Sequence, residues 1–189
     1  ILGAILLPFF LPIIFLLGLY VILIDGWPPF YLTERIGKDG KTFRMYKIRT
    51  MKKGAEEILA EILKDEQLKS YWDKYKKLKP DPRLIPGGLF IRKHSLDELP
   101  QIFNILKGEM SFVGPRPYLP QEIDKNFPQE IFKIKPGLTG LWQVSGRNNL
   151  LFKERQKLDL EYLTKINLGN DIKILMRTIK EIIKPKGAF

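Results

Sequence analysis

The sequence predicts a mostly helical α+β domain that is attached to a membrane by an apolar helix. Three observations predict this class: residues 1–24 carry no charged side chain, residues 30–48 have the pattern of a β-hairpin, and most later segments place apolar residues at helical spacing. The chain has 189 residues and a formal net charge of +11, which favours partners that carry phosphate. The sequence has no cysteine and one histidine, and this composition excludes a disulfide framework, a catalytic thiol and a histidine metal centre.

The apolar segment 1–24 is long enough to cross a membrane, but it contains two prolines. As one helix it measures about 36 Å, against a hydrocarbon core of roughly 30 Å. Pro8 and Pro12 each remove a backbone donor and clash with the carbonyl four residues earlier, so a bend is expected near the middle. Two geometries follow from the residues alone: a kinked helix that spans the bilayer, or a re-entrant helix that enters and leaves by the same face.

A hairpin and a long amphipathic helix are expected next. Asp39-Gly40 is a turn signal between two β-prone runs, 30–32 and 42–48. Apolar residues then recur every three to four positions over 54–79, which predicts one long helix.

The second half of the chain is expected to combine loops with shorter helices. The pattern predicts a helix over 99–106, mostly loop over the proline- and glycine-rich stretch 113–146, and closing helices over 154–165 and 171–184. The last helix has an apolar face formed by Ile172, Leu175, Ile179 and Ile182. A basic amphipathic helix of this kind is typical of a membrane surface and equally of a last core helix.

The adjacent carboxylates Asp97 and Glu98 are the most informative feature for chemistry. Ser95 and Glu98 fit a capping box at a helix start, and this is the favoured interpretation from the pattern alone. The alternative is electrostatic: a helix N-terminus with Arg92 beside it holds a carboxylate ionised next to a phosphate. Asp97 would then be a nucleophile and Glu98 a ligand of Mg²⁺.

Several cations stand beside loop-forming residues. Lys47 and Arg49 follow the hairpin, Arg116 lies within Gly-Pro-Arg-Pro, and Arg147 lies within Ser-Gly-Arg-Asn. Each alone is typical of a surface charge, but guanidinium groups held by rigid loops together suit a diphosphate. The sequence contains no P-loop and no GxGxxG, so the common nucleotide-binding scaffolds are not indicated.

Residues 92–117, with the runs Ser-Leu-Asp-Glu-Leu-Pro and Val-Gly-Pro-Arg-Pro, closely resemble the signature of the bacterial sugar transferases. These are monotopic phosphoglycosyl transferases that act on polyprenyl phosphate. Further matches lie at 34–43, 47–51, 81–83, 135–148 and 186–189. The resemblance therefore covers nearly the whole chain and outweighs the capping interpretation.

The resemblance implies a covalent mechanism. Asp97 would attack the sugar-bearing phosphorus of a UDP-sugar, expel UMP and form a sugar-phosphoryl-aspartate, which undecaprenyl phosphate then attacks. Glu98 matches the family's Mg²⁺ ligand. Basic residues expected around the phosphates are Lys47, Arg49, Arg92, Arg116 and Arg147. The Trp-Gln-Val-Ser-Gly-Arg-Asn run resembles the branch that transfers galactose- or glucose-1-phosphate in the first membrane step of polysaccharide or glycoconjugate synthesis.

The resemblance also implies a topology. Family members carry a re-entrant helix broken at a proline, with both ends cytosolic. The chain would thus comprise a membrane helix, 1–24, and a catalytic domain, 25–189, on the cytosolic face of the bacterial cytoplasmic membrane. Pro12 lies where the break is expected, whereas Leu11 replaces a small polar residue and Pro8 is additional. The sequence leaves open which sugar is transferred, whether the protein is a homodimer and whether further membrane helices precede residue 1.

A rival hypothesis from another class is a membrane-tethered basic module that binds nucleic acid. Tyr71, Trp72 and Tyr75 lie among lysines and would stack on bases, although docking at a membrane interface explains them equally well. The ordered acidic and Pro-Arg-Pro motifs argue against this hypothesis. The expected partners are therefore a UDP-sugar, undecaprenyl phosphate and membrane lipids, without nucleic acid.

Overall fold

The fold is described from a computed structural model, which describes residues 2–75, 78, 80–147 and 150–184. The helices are α1 (Leu2–Asp25), α2 (Ala55–Ile62), α3 (Glu66–Tyr75), α4 (Gly88–Lys93), α5 (Ile102–Leu106), α6 (Leu141–Ser145), α7 (Phe152–Thr164) and α8 (Leu168–Ile183). The strands are β1 (Phe30–Ile36), β2 (Thr42–Ile48), β3 (Ser111–Val113) and β4 (Gly137–Thr139). Residue 79, residue 148 and the closing motif 186–189, named above, lie outside the described residues.

The predicted hairpin is confirmed and is longer than its pattern indicated. β1 and β2 pair antiparallel from Phe30 opposite Ile48 to Ile36 opposite Thr42. The turn is a short 3-10 segment in which Asp39 has a φ of 57° and Gly40 a φ of 73°, a left-handed geometry that this dipeptide accepts readily. The mostly helical α+β class is therefore confirmed.

The long helix predicted over 54–79 is wrong, because the chain breaks between α2 and α3. The Asp65 carboxylate accepts hydrogen bonds from the backbone N–H groups of Gln67 (2.9 Å) and Leu68 (3.0 Å). These bonds satisfy the free donors at the start of α3, so Asp65 begins a second helix. Apolar spacing continued across the break and concealed it.

The loop predicted over 113–146 is only partly confirmed, because the stretch contributes to a second sheet and includes α6. β3 and β4 pair in parallel, with Ser111 opposite Gly137 and Val113 opposite Thr139. The backbones of Gly114 and Gly137 touch so closely that a side chain on either would clash with the other segment. Glycine here permits a close approach of two segments and is not a sign of a loop.

Helix α1 is long and apolar enough to cross a membrane, and it runs without interruption through Pro8 and Pro12. Ile14 and Val21 are buried in one core cluster with Ile48 of the hairpin. Many other apolar side chains of α1 are exposed, including Phe9 and Phe15 at 69% each. Only one side of α1 is covered by protein, as expected of a helix whose other side contacts lipid.

The closing helices α7 and α8 are confirmed, and α8 satisfies both interpretations of its pattern. Ile174 is buried in the core, with Leu175 packed against the same cluster. An exposed apolar row also runs along the helix, consisting of Ile172, Met176, Ile179 and Ile183. α8 is therefore a core helix that also presents an apolar surface.

Candidate active site

The two adjacent carboxylates lie on a 3-10 turn, Leu96–Gln101, that follows α4 and packs beside β2. Ser95 begins the turn with a φ of 55°, and its side chain makes no capping hydrogen bond. The capping-box interpretation is therefore wrong. Glu98 instead reaches Lys47 on β2, where its Oε1 lies 2.8 Å from Lys47 Nζ.

Asp97 is a nearly buried carboxylate between two cations. Its residue is 8% exposed, and Oδ2 lies 3.6 Å from Lys47 Nζ. Burial raises the pKa of Asp97 to about 6, against the opposing effect of Lys47 and Arg92. Burial also disfavours the charge of Lys47, but Glu98 and Asp97 outweigh it and raise the pKa of this ammonium group. At neutral pH the site therefore holds an ionised Asp97 beside a charged Lys47.

A polar cavity of about 850 Å³ opens beside this cluster, within the size range of small-molecule sites. Asp97, Lys47 and Arg92 line it. Arg92 donates from Nε to the Thr50 hydroxyl at 2.7 Å, which fixes the guanidinium group towards the cavity wall. Arg83, in the same wall, forms a two-bond pair with Asp81 at 2.9 and 2.7 Å.

Two of the predicted cations, Arg116 and Arg147, line neighbouring cavities, and Glu98 lines all three cavities. Arg116 faces a smaller polar cavity of about 170 Å³, and its NH2 group donates to Glu122 at 2.9 Å. Arg147 faces an apolar cavity of about 450 Å³. The structure thus distributes the predicted basic residues around Glu98 and does not gather them in one pocket.

Arg49 lines the large polar cavity, but its donors are occupied by the end of α1. The guanidinium group donates to the carbonyls of Pro28 at 2.7 Å and Gly26 at 2.6 Å, and it pairs with Asp25. Its residue is 8% exposed. In this structure Arg49 holds α1 against the hairpin that carries Lys47.

Sequence reasoning assigned no role to Arg35, which lines both polar cavities. Burial and the nearby Arg116 lower the pKa of Arg35 to about 10, and its buried Nε has no hydrogen-bond partner among the described residues. Tyr31 and Thr33, at alternate positions of β1, line the large cavity with it. The sequence did contain a signal for Arg35. Tyr31 pairs with Lys47 across the hairpin, and Arg35 lies four residues after Tyr31 on the same strand, so it is on the same face of the sheet.

Trp142 and Gln143 also line the smaller polar cavity without having been predicted as site residues. Trp142 Nε1 and Gln143 Oε1 are buried and lack a partner among the described residues. Such groups are costly unless a ligand or water satisfies them. Both belong to the 135–148 match, so the motif itself was the available signal.

Asp159 of α7 binds the backbone of Arg116 and so helps to position it. Its Oδ2 accepts from the Tyr118 hydroxyl at 2.7 Å and from the Arg116 backbone N–H at 3.1 Å, while Oδ1 is buried without a partner among the described residues. Burial raises the pKa of Asp159 to about 7. The protonated form of this side chain is therefore more favoured in the folded protein than in the unfolded chain.

We expect Asp159→Asn to gain stability relative to the unmodified protein as pH rises from 5 to 8. A carboxyl with a raised pKa stabilises the fold while protonated, and this contribution is lost as pH rises through about 7. The amide keeps one acceptor for Tyr118 and Arg116 and carries no charge. Thermal unfolding in detergent should show the stability difference growing by at least about 1 kcal/mol over this range.

The matched control for that prediction is Glu130→Gln, which neutralises an exposed carboxylate. Its stability difference should stay within about 0.5 kcal/mol at every pH. A constant difference for Asp159→Asn between pH 5 and 8 would contradict the burial argument.

The fold and site define a class: an α+β domain with an apolar helix suited to a membrane and a carboxylate–cation centre suited to phosphate chemistry. The sequence model described as "Bacterial sugar transferase" matches residues 1–185. The chain belongs to the bacterial sugar transferase family.

Three relatives illustrate the similarity. The chain is 44% identical over 173 residues to the undecaprenyl-phosphate galactose phosphotransferase of Salmonella typhimurium, covering 90% of this chain and 36% of that protein. It is 38% identical over 183 residues to the exopolysaccharide production protein ExoY of Rhizobium meliloti, covering 95% and 81%. It is 33% identical over 191 residues to the undecaprenyl-phosphate glucose phosphotransferase of Komagataeibacter xylinus, covering 94% and 34%. The chain thus spans about a third of the two phosphotransferases.

Proposed function

We propose that this chain transfers a sugar-1-phosphate from a UDP-sugar to undecaprenyl phosphate. The observation that carries the proposal is Asp97, a nearly buried carboxylate that lies beside Lys47 and lines a large polar cavity. The names of the relatives support a polyprenyl phosphate acceptor. They also favour galactose or glucose as the sugar and exopolysaccharide synthesis as the context.

In the first step, Asp97 Oδ forms a bond to the sugar-bearing phosphorus, and the bond between that phosphorus and the UMP oxygen breaks. UMP leaves with the electron pair, and the sugar phosphate stays on Asp97 as an acyl phosphate. Arg92 and Lys47 place positive charge near the attacked phosphate, which lowers the repulsion between two anions. In the second step, an oxygen of the acceptor phosphate bonds to phosphorus and the Asp97–phosphorus bond breaks.

Mg²⁺ fits the residues present. Glu98 is only partly exposed, with its side chain 34% accessible, and it faces the cavities beside Asp97. The described residues contain no cluster of three or more candidate metal ligands, so protein oxygens alone would not complete a site. Mg²⁺ commonly takes one or two carboxylates and completes its coordination with substrate phosphates and water. Glu98 would hold the ion, which supplies charge neutralisation for the donor diphosphate.

We place the catalytic domain on the cytosolic face, as the family resemblance implies, and the position of α1 supports a re-entrant helix. At its end, Asp25 pairs with Arg49 of the domain. Near its start, a Cβ added to Gly3 would lie 3.2 Å from Leu106 of α5. A straight crossing would carry one end of α1 roughly 30 Å away from the domain. Contacts with the domain at both ends favour a same-face arrangement over a straight crossing, and this arrangement would need α1, continuous here, to bend at Pro8 or Pro12 in the membrane.

The proposal is tested by incubating purified protein with Mg²⁺ and a UDP-sugar labelled in the sugar, without lipid acceptor. We expect UMP release that stops near one equivalent of protein, with the label retained on Asp97. Adding undecaprenyl phosphate should move the label to the lipid. A panel of UDP-sugars, beginning with galactose and glucose, would identify the donor. UMP release that requires the acceptor from the start would contradict the covalent step.

A further inference from the structure

An apolar cavity of about 450 Å³ lies between the first half of α1 and the last turns of α8. Leu6 and Phe10 line it from α1, and Ile179 and Ile182 line it from α8. The role proposed for Asp97 and the large polar cavity does not use this space. Most of the residues that line it are apolar and cannot form hydrogen bonds with water, so water is a poor occupant.

One end of this cavity is polar. Ser95, Glu98 and Arg147 line it together with the apolar residues. Glu98 also lines the large polar cavity that contains Asp97. The apolar cavity therefore ends at Glu98, the sequence neighbour of Asp97, and Arg147 provides a positive charge there.

We propose that this cavity holds the isoprene units nearest the phosphate of the lipid acceptor, in a site separate from the donor cavity. The inference rests on the proposed function and adds where each substrate binds. Two features identify the occupant as a polyprenyl phosphate. The walls include α1, the helix that is long and apolar enough to cross a membrane, and the polar end offers a guanidinium group to an anionic head. A ligand with one apolar chain and one phosphate matches both ends.

Separate cavities have a kinetic consequence. In a covalent two-step transfer with one shared site, the acceptor competes with the UDP-sugar for the free enzyme. Here the donor binds on the Lys47 and Arg92 side of Glu98, and the acceptor approaches from the Arg147 side. Raising undecaprenyl phosphate above its saturating concentration should therefore leave the KM for the UDP-sugar unchanged within about twofold.

The sharpest variant is Ile179→Glu. Ile179 is 53% exposed, so the change is expected to fold, and it places a negative charge in the cavity wall. We expect the KM for undecaprenyl phosphate to rise at least about tenfold, because an anion repels the acceptor phosphate and wets the apolar wall. Acceptor-free UMP release should stay within about twofold of the unmodified protein.

Ile183→Glu is the matched control. Ile183 lies four residues later on α8 and is 67% exposed, but it does not line the cavity. If the exposed row of α8 only docks on lipid, both variants will lose activity alike, and the acceptor site is overturned. An unchanged acceptor KM in Ile179→Glu, or acceptor competition with the UDP-sugar, also overturns it. Failure of the proposed function is distinguishable, since UMP would then not be released by the unmodified protein without acceptor.

Discussion

Asp97→Asn is expected to lower turnover by at least about 10³-fold, because the change removes the oxygen that we propose attacks phosphorus. An amide oxygen is a poor nucleophile and cannot form the acyl phosphate. The labelled sugar phosphate should no longer remain on the protein when lipid acceptor is withheld. Acceptor-free UMP release and the full transfer reaction, measured on the same preparation, test both steps.

The same variant is expected to be more stable than the unmodified protein at pH 7.5. Burial raises the pKa of Asp97 from 3.8 to about 6, so folding disfavours its ionised form and stability falls as pH rises between these two values. The contribution to stability is present when the carboxyl is protonated and is lost as pH rises through about 6. Removing the charge should therefore raise the unfolding free energy by about 1–3 kcal/mol. Loss of activity with a gain in stability is the signature of a functional carboxylate.

Asp39→Asn provides the control for both measurements. Asp39 is exposed in the hairpin turn with a φ of 57°, which asparagine also accepts. Its activity should stay within about twofold, and its free energy of unfolding within about 0.5 kcal/mol, of the unmodified protein. Retention of more than a few per cent of turnover in Asp97→Asn would remove Asp97 as the nucleophile.

The parts of the fold that sequence predicted well are those with local causes. The hairpin follows from Asp39-Gly40 between two β-prone runs, and α7 and α8 follow from apolar spacing. The parallel pair of β3 and β4 depends on segments 26 residues apart in sequence, from Ser111 to Gly137, and no local pattern announces it. The break at Asp65 depends on a single capping side chain, which periodicity does not register.

At the site, sequence predicted the residue types better than their arrangement. The proximity of Lys47 to Asp97 and Glu98 joins β2 to a turn 50 residues later, and only tertiary structure brings them together. Arg49 has the same charge and lies two residues away, yet its guanidinium group binds backbone carbonyls of the segment that follows α1. Spacing alone does not separate these two cations, because both face the same cavity wall.

The contact between Lys47 and the two carboxylates leads to the second large effect. Lys47→Met is expected to lower kcat/KM for the UDP-sugar by about 10²-fold near pH 7, the cost of removing one well-placed charge from a reacting site. Loss of the ammonium group also removes a charge that lowers the pKa of Asp97. The acidic limb of the pH profile of kcat/KM should therefore shift above about 6. The loss of kcat/KM relative to the unmodified protein should become smaller as pH rises.

The pH dependence separates two roles for Lys47. If Lys47 acts only by binding substrate phosphate, the ratio of variant to unmodified activity stays constant wherever Asp97 titrates. If it also holds Asp97 ionised, that ratio rises from pH 6 to 9, because kcat/KM reports the ionisation of the free enzyme. Lys47→Arg keeps the charge and should return the profile towards its original midpoint. Lys41→Met, on the exposed hairpin turn, removes a lysine elsewhere and should leave both rate and profile unchanged. A pH-independent deficit in Lys47→Met would restrict Lys47 to substrate binding and leave the ionisation of Asp97 to Arg92.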